Sequence, residues 1–130
     1  MIEVEKIYLA KAEECLEGAE SEFANGRYNN CANRCYHACF QAAIHGLITD
    51  GGPALVSQRQ WRHAFVQSRF VGEFVNRRQT YPTELRSTLA DNLTLRHRGD
   101  YEARVVSEVQ AARALRRTRI FVAAVRSRGG

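Results

Sequence analysis

The chain has little that would interrupt a helix and none of the common catalytic signatures. Only 2 of its 130 residues are proline, so long uninterrupted helices are open to it. No apolar run approaches the ~18 residues needed to span a bilayer, so no transmembrane helix and no membrane partner are expected. Strand-like alternation, internal repeats and low-complexity tracts are absent, which argues against a β or solenoid architecture. There is no glycine-rich phosphate loop and no GxSxG, HExxH or CxxC pattern, so the common nucleotide-loop, serine-hydrolase, zinc-protease and redox classes lose their usual support. The opening Met1-Ile2-Glu3-Val4-Glu5 is acidic and unlike a signal peptide. The 4 cysteines need no oxidising compartment, and the expected location is the cytoplasm. The length suits one domain over 1–130.

The overall composition is ordinary and the layout of charge is uneven. Hydrophobic residues make up 45% and charged residues 25% of the chain, as in globular proteins generally. The net charge is +5. Residues 1–24 hold seven glutamates against Lys6 and Lys11, whereas residues 100–130 hold seven arginines against Asp100, Glu102 and Glu108. Of the 19 basic residues, 17 are arginine. Guanidinium groups bind phosphate and carboxylate bidentately, but a solvated face and GC-rich coding account for the bias more plainly than a dedicated nucleic-acid surface.

Periodicity predicts an all-α chain, an antiparallel bundle of about five helices. Helix one covers about 3–24, with Val4, Ile7, Tyr8, Cys15, Leu16, Ala19 and Phe23 on one stripe, and Asn25-Gly26 ends it. Helix two covers about 28–48 with Cys31, Ala32, Cys35, Tyr36, Cys39, Phe40, Ala43, Ile44 and Leu47 inward. Asp50-Gly51-Gly52-Pro53 breaks the chain, and 50–57 is expected to be a mobile loop. Ser57 is the expected N-cap of helix three, about 58–77, with Trp61, Ala64, Phe65, Val71 and Val75 inward. Thr80 and Pro82 open helix four, where Leu85, Leu89, Leu93 and Arg96 follow one face. Asp100 is read as the N-cap of helix five, about 101–126, lined by Val105, Val109, Ala112, Leu115, Val122 and Val125.

Cys31, Cys35 and Cys39 recur every fourth residue with His37 nearby. One straight helix presents only two such groups to a single metal, and His37 lies on another face. Three small residues at a helix contact is the better reading, and no metal and no cofactor is expected. His45 and His63 read as isolated interfacial or surface histidines, and Trp61 as a core anchor or, if exposed, a dimer contact.

The polar crowding in Leu95-Arg96-His97-Arg98-Gly99-Asp100-Tyr101 is where chemistry is expected. An inward Arg96 must find a carboxylate or a ligand anion. Asp100 can supply that carboxylate or cap helix five. The positive N-terminus of helix five would help hold an anion beside Arg96 and Arg98, and Tyr101 offers a hydroxyl and a stacking face. A structural salt bridge with a capping aspartate explains the same residues equally well.

Several segments in order resemble the HEPN superfamily (higher eukaryotes and prokaryotes nucleotide-binding domain), in particular its small stand-alone prokaryotic members. Ala12, Leu16 and Ala19 fit the first helix. The run from Phe23 to Ala32 resembles the entry to the second, and Asn33-Arg34-Cys35-Tyr36-His37-Ala38-Cys39-Phe40-Gln41-Ala42-Ala43 resembles its small-and-aromatic core. Arg96-His97-Arg98-Gly99-Asp100-Tyr101 resembles an R-x-x-A/G-D-Y signature, and Phe121-Val122-Ala123-Ala124-Val125 the closing helix. The resemblance implies a five-helix bundle, often a homodimer. It also implies a nucleotide- or RNA-interacting module, frequently paired with a minimal nucleotidyltransferase in toxin–antitoxin or defence-type systems. Some such partners adenylylate a tyrosine, and Tyr101 is the matching position, although packing of Tyr101 is expected. Ribonucleases of the family carry an arginine followed after four to six residues by a histidine. Here Arg96 is followed, after four intervening residues, by Tyr101 where a histidine would be wanted, and His97 is adjacent instead. Ser57-Gln58 also stands where many members have Thr-His.

Three readings follow. In the first the chain is a binding module whose site is Arg96, Arg98, Asp100 and Tyr101, with His97 at its edge. In the second it is a divergent metal-independent ribonuclease, with Arg96 clamping phosphate and His97 moving the proton. In the third it is a helical adaptor with a salt-bridged corner.

Overall fold

The computed structural model describes residues 4–51, 61–77 and 81–129. Among them the chain is helical, in the order α1 (Val4–Ala24), α2 (Tyr28–Gly51), α3 (His63–Arg69), a π-helical stretch (Phe70–Arg77), a 3-10 turn (Thr83–Leu85), α4 (Thr88–Tyr101) and α5 (Glu108–Gly129). The expected Ser57 cap and most of the 50–57 loop lie outside the described residues.

α2 is the central element, packed against α1, α3, α4 and α5. The sequence explains why it can be. Its cysteines and alanines (Cys31, Ala32, Cys35, Ala38, Cys39, Ala42 and Ala43) are all buried, and short side chains let several neighbours approach one axis. At the α1–α2 corner Gly26 takes φ 74°, the left-handed conformation that glycine adopts without strain. Arg27 N donates to Glu22 O at 2.9 Å and Gly26 N to Phe23 O at 3.0 Å, the paired bonds of a Schellman turn.

The start of α5 differs from expectation. Ser107 is the cap: Gln110 N donates to Ser107 Oγ at 3.1 Å, and Ser107 N donates to Gln110 Oε1 at 3.0 Å. This is a reciprocal capping box, S-x-x-Q. Asp100 therefore caps nothing; it and Tyr101 close α4. The shift moves the buried face of α5 to Ala111, Ala114, Leu115, Thr118, Phe121, Val122 and Val125, and leaves Val105 77% exposed and Val109 outside the core. The connection is anchored instead by Val106 N donating to Asn29 Oδ1 at 2.8 Å.

Helix three also differs. Its buried positions are Val66, Phe70, Phe74 and Val75 rather than Ala64, which is exposed. The wider π turn resets the register, and Phe70 packs against Tyr81 and Phe121 at centroid distances of 5.1 and 5.0 Å. Val4 and Ile7 of α1 are exposed. His45, expected at an interface or on the surface, is buried in α2. Trp61 is half-buried, edge-on to Tyr8.

Candidate functional site

The inner face of α4 is Thr88, Leu89, Asn92 and Leu95; Leu85 and Leu89 are buried as expected, but beyond them the face lies one residue earlier than the expected Leu93 and Arg96. One turn beyond Leu95, Gly99 faces α2 so closely that a Cβ there would lie 3.3 Å from Asn29 Cα. Glycine is what lets the end of α4 dock on the start of α2. Arg96 consequently sits at the edge of this contact, with its side chain 23% exposed.

Arg96 is held on two sides. Its Nε donates to Asp100 Oδ2 at 3.2 Å, and its guanidinium carbon lies 5.1 Å from the centroid of the Tyr36 ring, a cation–π contact. The order Arg then Asp four residues on is the weaker one for an ion pair along a helix, and it places a carboxylate at the negative end of α4. Local helix energetics therefore do not favour Asp100. Its partners do: besides Arg96, the Nδ2 of Asn33 donates to Asp100 Oδ2 at 2.9 Å. Asn33 Oδ1 in turn accepts from Arg34 Nη2 at 2.7 Å. Only Nε of Arg96 is engaged, and its terminal amino groups have no hydrogen-bond partner among the described residues.

Three histidines gather around this pair. His37, one helical turn after Asn33, lies within electrostatic reach of Arg96, Arg34 and Asp100. Burial, then the positive Arg96 and Arg34, depress its pKa, while Asp100 pulls it partly back. His37 is therefore neutral at neutral pH. His63 Nδ1 lies 3.2 Å from the Tyr36 hydroxyl, and burial followed by His97 depresses its pKa as well. His97 is exposed and meets Tyr101 edge-on at 5.5 Å. Tyr101 is 70% exposed, contrary to the packed tyrosine expected, because α4 ends there and the chain turns away. Beside Asn33 and Arg34, with Glu22 and Asn30, the surface forms a depression of about 230 Å³.

The expected site thus divides. Tyr101 meets His97 at the rim, and Arg96 and Asp100 share one patch. Arg98 does not, because two residues along a helix turn it ~200° away from Arg96, into a groove between α4 and α5. α5 starts after the 102–107 connection, and its first turn, at Gln110, lines the groove of Arg98; around Arg96 no contact with that turn is seen among the described residues. In its place stand Asn33, Arg34, Tyr36, His37 and His63, which reasoning on sequence had not assigned. His37 does lie on another face from the buried cysteines, two residues and ~200° from Cys35 and Cys39; nothing in the sequence said that α4 covers the face to which it points. The thiols themselves are core groups. Cys39 is fully buried, its pKa pushed up to about 12 by burial. Among the described residues no three histidine, cysteine or acidic side chains converge as metal ligands.

No curated protein matches the chain. A family model does, that of the HEPN domain, over residues 6–128. No described helix is long and apolar enough to cross a membrane. Domains of this family are nucleotide- or RNA-related modules, and they often dimerise. By its helical architecture and by a match that spans nearly its whole length, the chain belongs to the HEPN domain family.

Proposed function

We propose that this HEPN domain binds a nucleotide or RNA through the patch where the end of α4 meets α2, and that it works beside a minimal nucleotidyltransferase in a toxin–antitoxin or defence-type pair. Arg96 is the anion clamp, Asp100 and Tyr36 hold it, and Tyr101 with His97 forms the rim. One observation carries this reading: a guanidinium mostly withdrawn from water spends only one of its donors on the described residues. Guanidinium has five donors in a fixed fork, and the network around it holds two arginines against one carboxylate, an excess of positive charge suited to phosphate. The exposed hydroxyl of Tyr101 supports the pairing, since a partner that modifies a tyrosine must reach it. The test is Arg96→Gln, with ATP and a short single-stranded RNA as probes. Affinity for at least one of them should fall tenfold or more while the helical melting curve is retained. Affinity unchanged for both refutes the clamp. Co-purification with a minimal nucleotidyltransferase from the same genome, lost on Tyr101→Ala, tests the pairing.

A second reading, metal-independent RNA cleavage, is favoured by one feature. A neutral imidazole, His37, stands within electrostatic reach of Arg96, the chemistry a proton acceptor needs beside a phosphate clamp. Cleavage of RNA in EDTA that is lost in both Arg96→Gln and His37→Gln supports it. Cleavage lost in His97→Gln alone returns the role to His97, and no cleavage at high protein concentration removes the reading.

A further inference from the structure

The groove that receives Arg98 is a site in its own right. It lies between α4 and α5, about 260 Å³ in volume, and is lined by Asp91, Thr94, Arg98, Gln110, Arg113 and Arg117 among others. Arg113 and Arg117 are one turn apart on α5 and face the same way, with Arg98 on the opposing wall. Three guanidinium groups thus share a cleft with a single carboxylate, Asp91. Arg98 and Arg113 make no ion pair or hydrogen bond with any described residue. Arg117 is built into place: its Nε donates to Asn92 Oδ1 at 2.7 Å. Asn92, 1% exposed, is itself fixed by donating to Thr118 Oγ1 at 3.0 Å. That bond orients a half-buried arginine and leaves its terminal amino groups without a partner among the described residues. Gln110 spends its carbonyl oxygen on the α5 cap, so its amide nitrogen remains a further donor.

We propose that this α4–α5 groove is a second phosphate-binding site, which holds a phosphodiester of a single-stranded RNA crossing it. Donors approaching from two walls suit a tetrahedral anion that accepts in several directions, whereas one guanidinium fork alone satisfies a planar carboxylate. The groove is smaller than the ~300–1,000 Å³ pockets that engulf a free small molecule, so it fits one group of a longer chain. The inference rests on the reading that the domain engages RNA or nucleotides, but it uses none of the side chains of the Arg96 patch.

The experiment is fluorescence anisotropy with a labelled single-stranded RNA over a range of KCl concentrations, on the full chain and on Arg98→Gln/Arg113→Gln, with Arg96→Gln in parallel. Both substituted residues point to the groove rather than the core, and a melting curve confirms folding. The double variant should bind at least tenfold more weakly at low salt. Its log–log salt slope should be shallower by about 0.7, the contribution of the one single-strand phosphate that the groove holds. Unchanged affinity and slope in the double variant overturn the groove, whether or not Arg96→Gln weakens binding. Loss in the double variant with Arg96→Gln unaffected keeps the groove and defeats the Arg96 clamp as an RNA contact. ATP binding without RNA binding overturns the groove alone. Displacement of the RNA by polyglutamate at matched charge as effectively as by polyuridylate also overturns it, because it would make the groove an acidic-peptide site.

Discussion

Asn92 ties the core to the arginine groove, and its removal gives the sharpest test of the packing described here. Its amide donates to Thr118 Oγ1 and approaches Cys39 Sγ at 3.3 Å, while its oxygen accepts from Arg117. In Asn92→Ala the neutral bond to Thr118 is lost at about 1 kcal/mol. Thr118 still donates to Ala114 O, so no donor is stranded. The Arg117 bond is charge-assisted, worth ~1.5–3 kcal/mol when buried, but Arg117 is only half-buried and recovers water, so about 1 kcal/mol is a fair share. The cavity left by the truncated side chain adds about 1 kcal/mol. The total is roughly 3 kcal/mol. With an unfolding entropy of ~2.1 cal/mol/K per residue, a chain of 130 residues has about 0.27 kcal/mol/K, and Tm should fall by roughly 11 °C.

Calorimetric melting at neutral pH reads this directly, and the cycle Asn92→Ala, Arg117→Ala and the double variant isolates the pair. A coupling of about 1 kcal/mol is expected. A coupling inside the ~0.3–0.5 kcal/mol scatter of independent sites, or a Tm loss of only ~3 °C for Asn92→Ala, refutes the network and with it the pre-orientation of Arg117.

Three further outcomes follow from the same structure. The pKa values of His37 and His63 are depressed by burial and neighbouring positive groups, so the unfolded chain binds more protons below its ordinary histidine pKa of ~6.5. Stability should therefore be full above that pH and decline as pH falls through and below it; denaturant midpoints for His37→Gln should show a shallower decline, and an identical slope would contradict the placement of His37. Only Cys15 of the four thiols is not buried, so a thiol reagent should label at most one cysteine quickly in the native state and all four after unfolding. Because Tyr101 is exposed and closes α4, Tyr101→Phe should move Tm by no more than about 1 °C, whereas a larger loss would mean that its hydroxyl is structural.

The helical class, the α2 stripe and the Asn25-Gly26 stop were legible because each rests on local chemistry. Small residues every third or fourth position, and a glycine at a left-handed corner, mean the same thing in any helical bundle. The errors cluster where two local signals compete. Asp100 and Ser107 are both plausible caps, and only the second has a glutamine three residues on. The S-x-x-Q pattern was there to be read, and reading it would have moved the start of α5, the exposure of Val105 and the role of Asp100 together. In the 63–77 stretch no sequence signal announces a π turn, so the buried face could not be counted at 3.6 residues per turn.

The site was half legible for a related reason. Charge spacing along one helix can be counted, so Arg96 and Asp100 were found. Yet the partners that give them meaning (Asn33, Tyr36 and His37) come from α2, more than fifty residues away, and no periodicity encodes which helix face meets which. Arg98 shows the converse. Two residues from Arg96 in sequence, it belongs to a different surface. If phosphate is held on both faces of α4, Arg96 and Arg98 act on separate groups of one strand, and their effects on RNA affinity should be additive in free energy, unlike those of two donors sharing one oxygen. Strong non-additivity between Arg96→Gln and Arg98→Gln would mean that the two arginines converge on one anion after all, and the division of the site drawn from this helix geometry would fall.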